Sequence, residues 1–290
     1  MAQFVSARQF RSGIEQEKAL PVIVPGNGLE IQHRVFSSEF KYHYLLQDVY
    51  EVTNTTWETL PHFLIPGGES TILIPIGSGK RSKPLFCGTL TSMHRIMIPP
   101  RSAVFVARLR DGSGEWLAGD KIAELTDHFV PLANYLPEAD LLQRQMRYAE
   151  SYHERMLQLV HVFGDHNGHE YRPVAAMERS IQIIYKTRGN IAIADIAKTV
   201  GCSDRYLNKL FRRYLGISTK HFAEVIQLQY SLNTILTTNP RSLLQVAVDY
   251  GYFDQAHMNR YYKKFLKCTA SDMRMPERNT EAAMEIPLFA

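Results

Sequence analysis

The sequence predicts an α+β, multidomain chain: a β-rich N-terminal part followed by an all-α C-terminal part holding two helix-turn-helix units. Three observations carry this. Between residues 31 and 116, short β-branched and aromatic runs alternate with turns marked by Gly and Pro. From Leu117 onward the long segments carry helical periodicity instead. Within the helical region one pattern recurs after a shift of about 50 residues.

Residues 1–30 are mixed, with PVIVPGNG (21–28) as a break. The runs IQHRVF, YHYLLQDVYEV, STILIPI, HRIMIPP and SAVFVARL read as strands. Pro66-Gly67-Gly68, Gly77-Ser78-Gly79, Pro99-Pro100 and Asp111-Gly112 separate them as turns. Their regular spacing suggests an antiparallel barrel or sandwich. KIAELTDHFVPLANYL (121–136) and EADLLQRQMRYAESYHERMLQLVHVF (138–163) read as helices, the second starting after Pro137. The second carries Leu141, Leu142, Met146, Tyr148, Met156, Leu159 and Val160 without a clean heptad, so it is expected to pack on the β-rich part. GDHNGHEYRP (164–173) reads as a linker. The domains expected are therefore 1–135, a connector and linker at 136–172, the helix-turn-helix region at 173–275, and a tail at 276–290.

Composition bounds the function. With 290 residues, 45% hydrophobic and 21% charged, the chain reads as soluble and globular. No apolar run approaches the roughly 20 residues of a membrane span. The first residues hold no apolar segment of a secretory signal. Cys87, Cys202 and Cys268 are odd in number with no CxxC spacing, which suits reduced thiols in the cytoplasm. The net charge of +4 hides an asymmetry, because residues 179–274 hold 15 Lys/Arg against six Asp/Glu. That imbalance favours a polyanion-binding C-terminal half.

The repeat has a grammar. IADIAKTV (193–200) and LLQVAVDY (243–250) are short amphipathic helices with a small residue, Ala197 or Ala247, where a second helix crosses closely. Gly201 or Gly251 follows as the C-cap of a sharp exit. Ser203 or Asp254 then caps the next helix through its side-chain oxygen. One residue has been added to the second turn, so the alignment shifts from 50 to 51. The second helices are expected to bury Tyr206, Leu207, Leu210 and Phe211 in one unit, and Met258, Tyr261, Tyr262 and Phe265 in varying degree in the other. This arrangement places a second helix to enter a DNA major groove.

IADIAKTVGCSDRYLNKLFRRYLGIS and NPRSLLQVAVDYGYFDQAHMNRYYKKF make residues 179–275 resemble the tandem helix-turn-helix domain of the AraC/XylS family of transcription regulators. The resemblance implies that TKHFAEVIQLQYSLNTIL (219–236) joins the units rigidly, and that both recognition helices enter successive major-groove turns of promoter DNA. It leaves room for contact with RNA polymerase, for a small-molecule effector and for pairing of two copies. The chain departs from the family at Gln227, Ser231, Lys267 and Ala270, where Arg, Ala, Gly and Pro are usual. The resemblance places Arg205, Asn208 and Lys209 of the first helix, and Gln255, Ala256, Asn259 and Arg260 of the second, at base edges. Arg and Lys suit guanine, Asn and Gln suit adenine, and Ala suits a thymine methyl. Ser203, Arg212, Arg213, Asp254, His257, Lys263 and Lys264 are assigned to phosphates.

The β-rich half resembles the cupin-like sensor or dimerisation domain of such regulators, through LIPGGESTILIPIG, CGTLTSMHRIMIPP, ARLRDGSGEWLAG and ELTDHFVPL. The competing reading is a cupin-type metalloenzyme with an accessory helical domain, since His33, His43, His62 and His94 are scattered over the strands. However, no HxH-then-Glu, GxSxG, HExxH or P-loop pattern is present, so neither catalysis nor a cofactor or metal is expected. His161, His166 and His169 crowd the linker region without metal-ligand spacing. Asp111-Gly112-Ser113-Gly114 reads as a turn.

Overall fold

A computed structural model describes residues 23, 28–77, 82–165, 174–274 and 283–289. The break expected at 21–28 and the linker expected at 164–173, with His166 and His169, lie largely outside the described residues.

The N-terminal half holds strands β1 (Leu29–Val35), β2 (Leu46–Asn54), β3 (Leu60–Leu64), β4 (Ser70–Ile76), β5 (Leu85–Thr89), β6 (His94–Ile98), β7 (Ala103–Leu109) and β8 (Phe129–Pro131). A larger antiparallel sheet runs β1-β2-β7-β4-β5-β8, and a smaller one has β6 at its centre beside β3. The third strand of the smaller sheet, β9 (Met284–Ile286), comes from the far end of the sequence and pairs with β6 in parallel.

The central strands STILIPI and AVFVARL are buried at every position, because the larger sheet is covered on both faces. Ile72, Ile74, Phe105 and Ala107 face a core completed by Leu142, Met146, Leu159 and Phe163 of helices α2 (Ala139–Tyr148) and α3 (Tyr152–Asp165). Their alternating neighbours Leu73, Val104 and Val106 face the smaller sheet, with Ile96, Ile98, Ile286 and Leu288. The segment 138–163 does pack on the β-rich part. Arg155 bonds both oxygens of Glu51 at 3.0 and 3.2 Å, and the Tyr152 hydroxyl donates to Val49 O at 2.9 Å.

Two helical expectations are corrected. Residues 138–163 form two helices rather than one, with Ala149 extended between them (ψ 130°). Ser151 Oγ accepts from Glu154 N at 3.2 Å, and Glu154 Oε2 from Glu150 N at 2.8 Å, so a local cap restarts the helix. Residues 121–136 are not a helix. Short 3₁₀ turns at Gly119–Ala123 and Leu132–Asn134 flank β8, whose pairing with β5 overrides the helical period. A short helical turn, α1 (Glu115–Ala118), precedes them.

A charged cluster lies inside the β-rich half. Asp48 and Arg108 face each other across β2 and β7, joined by two bonds of 2.7 Å and both buried. Burial alone would raise the Asp48 carboxyl, but Arg108 and His33 outweigh it and hold it far below the usual range. Glu69 is buried nearby with no hydrogen-bond partner for Oε2, and burial pushes its carboxyl up to about 7 against the pull of Arg108.

The C-terminal half holds α4 (Ala175–Lys186), α5 (Ile193–Val200), α6 (Asp204–Leu215), α7 (Thr219–Thr238), α8 (Leu243–Asp249) and α9 (Gln255–Leu266). Helix α7 is shared by two cores. Phe222, Ala223 and Ile226 close the core around α4, α5 and α6. Val225, Leu228, Leu232 and Ile235 close the one around α8 and α9. With 20 residues it spans about 30 Å, a stiff bar between the units.

Candidate nucleic-acid interface

Each unit is assembled by the same local devices. Gly201 and Gly251 adopt the left-handed conformation (φ 81° and 77°). Behind them, Cys202 N and Tyr252 N donate to Ala197 O and Ala247 O, both at 2.9 Å. Ser203 Oγ then accepts from Tyr206 N at 3.2 Å, and Asp254 Oδ1 from His257 N at 2.6 Å. These caps start α6 and α9, whose buried faces are Leu207, Leu210 and Phe211 in one and Met258, Tyr262 and Phe265 in the other. Tyr206, expected inside, is 46% exposed. It falls on the edge of the apolar face.

The departures Gln227 and Ser231 have structural uses on α7. Gln227 Nε2 donates to Tyr250 O at 2.7 Å, satisfying a carbonyl at the end of α8. Ser231 Oγ lies 3.0 Å from the Tyr262 hydroxyl, giving that buried group a partner inside the core.

The exposed faces match position by position. Arg205, Lys209 and Arg212 are exposed at helical spacing on α6. A shift of 51 carries them onto Ala256, Arg260 and Lys263, exposed on α9. Gln255 lies beside this second stripe, half-buried.

Four residues expected at DNA make side-chain contacts within the chain. Asn208 Oδ1 accepts from Thr219 N at 3.2 Å, and Asn259 Oδ1 from Ala270 N at 3.0 Å. Each amide ties its helix to the segment eleven residues on. Arg213 pairs with Glu115 at 3.1 Å and with Asp120, both from the N-terminal half. Lys264, its equivalent in the repeat, pairs with Glu224 at 2.7 Å. Asp254 is committed to a cap as well. Its carboxylate caps α9, and a phosphate there would meet like charge. Ser203 keeps a hydroxyl proton to donate. His257 Nδ1 accepts from Phe253 N at 3.1 Å, which leaves the neutral ring's proton on Nε2.

Sequence reasoning missed the way the N-terminal half holds both α6 and α9 by their last turns. Thr89 Oγ1 donates to Leu215 O at the end of α6, and Met93 N donates to Phe265 O at the end of α9 at 2.8 Å. The strap between them, Thr89–Met93, is pinned by Asp127. That carboxylate accepts from Thr91 N at 2.7 Å, Thr91 Oγ1 at 2.5 Å and Ser92 N at 3.0 Å. Further contacts join the halves. The Tyr185 hydroxyl donates to Asp111 Oδ2 at 3.1 Å, and Gln229 Nε2 to Pro66 O. Among the described residues no three His, Cys, Asp or Glu side chains are placed to hold a metal ion, and no helix is long and apolar enough to cross a membrane.

Comparison with known proteins agrees with this geometry in the C-terminal part. Residues 196–275 match a family described as a helix-turn-helix domain. A curated relative, an uncharacterized HTH-type transcriptional regulator, YidL of Escherichia coli, is 32% identical over 72 residues. That match covers 25% of this chain and 24% of the relative, so the chain aligns with about a quarter of its length. Among solved structures, the C-terminal domain of AraT, a response regulator from Geobacillus stearothermophilus, is similar at 22% identity. It covers 37% of this chain and 88% of that one, with a TM-score of 0.34. ToxT from Vibrio cholerae is similar at 12% identity over 84% of this chain and 97% of its own, with a TM-score of 0.40. Residues 196–275 of this chain therefore carry a helix-turn-helix domain.

Proposed function

We propose that this protein is a sequence-specific transcription regulator. In this reading α6 and α9 enter successive major-groove turns on one face of promoter DNA. Arg205 and Lys209 read guanine edges, Gln255 reads adenine, Ala256 lies on a thymine methyl, and Arg260 reads bases or phosphate. Arg212, Lys263, Ser203 and His257 take phosphates. The observation that carries the reading is the pair of exposed stripes, Arg205/Lys209/Arg212 and Ala256/Arg260/Lys263, in one register on helices held by one stiff bar.

The β-rich half senses a signal or pairs subunits. Its route to DNA is the Thr89–Met93 strap, which touches the last turn of both recognition helices. A ligand or partner that shifts the strap shifts both helices together, and with them the fit to two groove segments.

Selection of bound fragments from random DNA by the full chain tests the proposal. The expected outcome is two short elements about 10–10.5 base pairs apart, bound with strong salt dependence. Retention of random duplexes without a recurring element overturns sequence-specific reading.

A further inference from the structure

We infer that Phe253 reads a thymine methyl group beside the N-terminus of α9. The inference rests on the DNA-binding reading above and adds a specificity residue to it. The two turns align at a shift of 50 through Cys202 and Tyr252, whose backbone N–H groups close the same bond behind the glycine. They align at 51 from the caps Ser203 and Asp254 onward. Phe253 is therefore the residue that the first unit lacks.

Its placement is fixed. Tyr252, on one side, is buried and packs edge-on to His257 and Tyr261. Asp254, on the other, caps the helix. The Phe253 backbone N–H is held by His257 Nδ1. With its backbone N–H held and both neighbours committed, Phe253 is 88% exposed. A ring of that size offers a large apolar area for another surface to cover.

The covering surface follows from position and charge. The N-terminal residues of a recognition helix face base edges. Ala256, Arg260 and Lys263, exposed along the same helix, give this end an apolar point backed by cations. The apolar group displayed by the major groove is the C5-methyl of thymine, and Phe is among the side chains that suit it. Gln255, two residues on, has the amide that pairs with adenine, so neighbouring positions can read an A·T-rich step.

The test uses the full chain and a duplex selected by it from random DNA. Each thymine is replaced in turn by deoxyuridine, which removes only the methyl, and affinity is measured for wild type, Phe253→Ala and Phe253→Leu. One replacement is expected to weaken wild type by about fourfold, the worth of one buried methyl. Phe253→Ala should be insensitive at that position, and Phe253→Leu should keep part of the response. Identical deoxyuridine profiles for wild type and Phe253→Ala overturn the inference alone. Failure to select any duplex overturns the DNA reading and this inference with it.

Discussion

The first unit ends α6 on Gly216 and the second ends α9 on Lys267, both left-handed, at φ 72° and 60°. The surroundings explain why only one must be glycine. A Cβ on Gly216 would lie 2.8 Å from Thr126 Oγ1 and 2.9 Å from Ala123 Cα and Ile122 O, all in the N-terminal half. Lys267 is exposed, and its ammonium donates to Lys264 O at 3.2 Å, one of the carbonyls left over at the helix end. The two units thus share their internal devices but not their relation to the rest of the molecule. At Gly216 the first is pressed against the backbone of Ile122 and Ala123 in the β-rich half, and Thr89 Oγ1 donates to Leu215 O. The second meets it through the Met93 bond and the side-chain core of Ile65 and Met93. A repeat preserves what a helix needs locally, and docking then changes which residues each copy can tolerate.

Placing the second unit's residue in the first should break this difference most severely. Gly216→Lys forces a Cβ into backbone and a left-handed lysine at once, and is expected to destabilise by about 3 kcal/mol or more in chemical denaturation.

The docked face of the first unit should also be the pH-sensitive one. Glu69 follows Gly68, whose Cα side abuts Phe222 of the first unit's core. Its carboxyl is raised from 4.5 to about 7 in the folded state. The stability this contributes is complete below about pH 4.5 and is lost as pH rises towards 7, a fall of about 3 kcal/mol. His62 acts oppositely over part of this range. Burial lowers its imidazole to about 3, so its contribution is present above the usual histidine range and fades as pH falls through and below it. The difference between wild type and Glu69→Gln isolates the first effect. That difference should change by about 3 kcal/mol across pH 4.5–7, and a flat difference would remove Glu69 from the account.

Binding measurements sharpen the comparison of the exposed stripes. Arg205→Ala is expected to cost roughly 1–3 kcal/mol and to relax preference at one base position. Lys263→Ala should weaken specific and random duplexes alike and reduce the salt slope by about one. Equal losses on both duplexes for Arg205→Ala would remove its base-reading role. The smallest effect is expected at the second helix end, where Lys267→Gly should stabilise by about 0.5–1 kcal/mol. A loss of stability there would mean that the bond to Lys264 O outweighs the backbone strain.

The helix-turn-helix units were legible because their determinants are local. A glycine exit, a cap one turn on and an apolar face lie within about 25 residues, and α5 begins and ends where the pattern placed it. The inward turn of Asn208 and Asn259 was not read, although both recur at the shift of 51 and that recurrence was its signal. Strands β3, β8 and β9 escaped notice because each is short and gains its order from a partner distant in sequence; β5, also short, is ordered between its neighbour β4 and the distant β8. The break at Ala149 was readable, since Ser151 followed three residues later by Glu154 is a capping pattern. The strap was not, because Thr89 Oγ1 and Met93 N meet carbonyls more than a hundred residues away. Docking of that kind leaves no periodicity.

The parallel strand β9 gives the protein an order of completion. Residues 94–98 leave the ribosome long before 284–286, and at ordinary synthesis rates the interval is roughly 10–40 s. Throughout it β6 has one unpaired edge, and the core that Ile286 and Leu288 will fill stays open. The β-rich half is therefore begun first and finished last. The nascent chain passes through a stage in which the helical units can already close while an exposed sheet edge waits, and that edge is the surface a chaperone or a second nascent chain would meet.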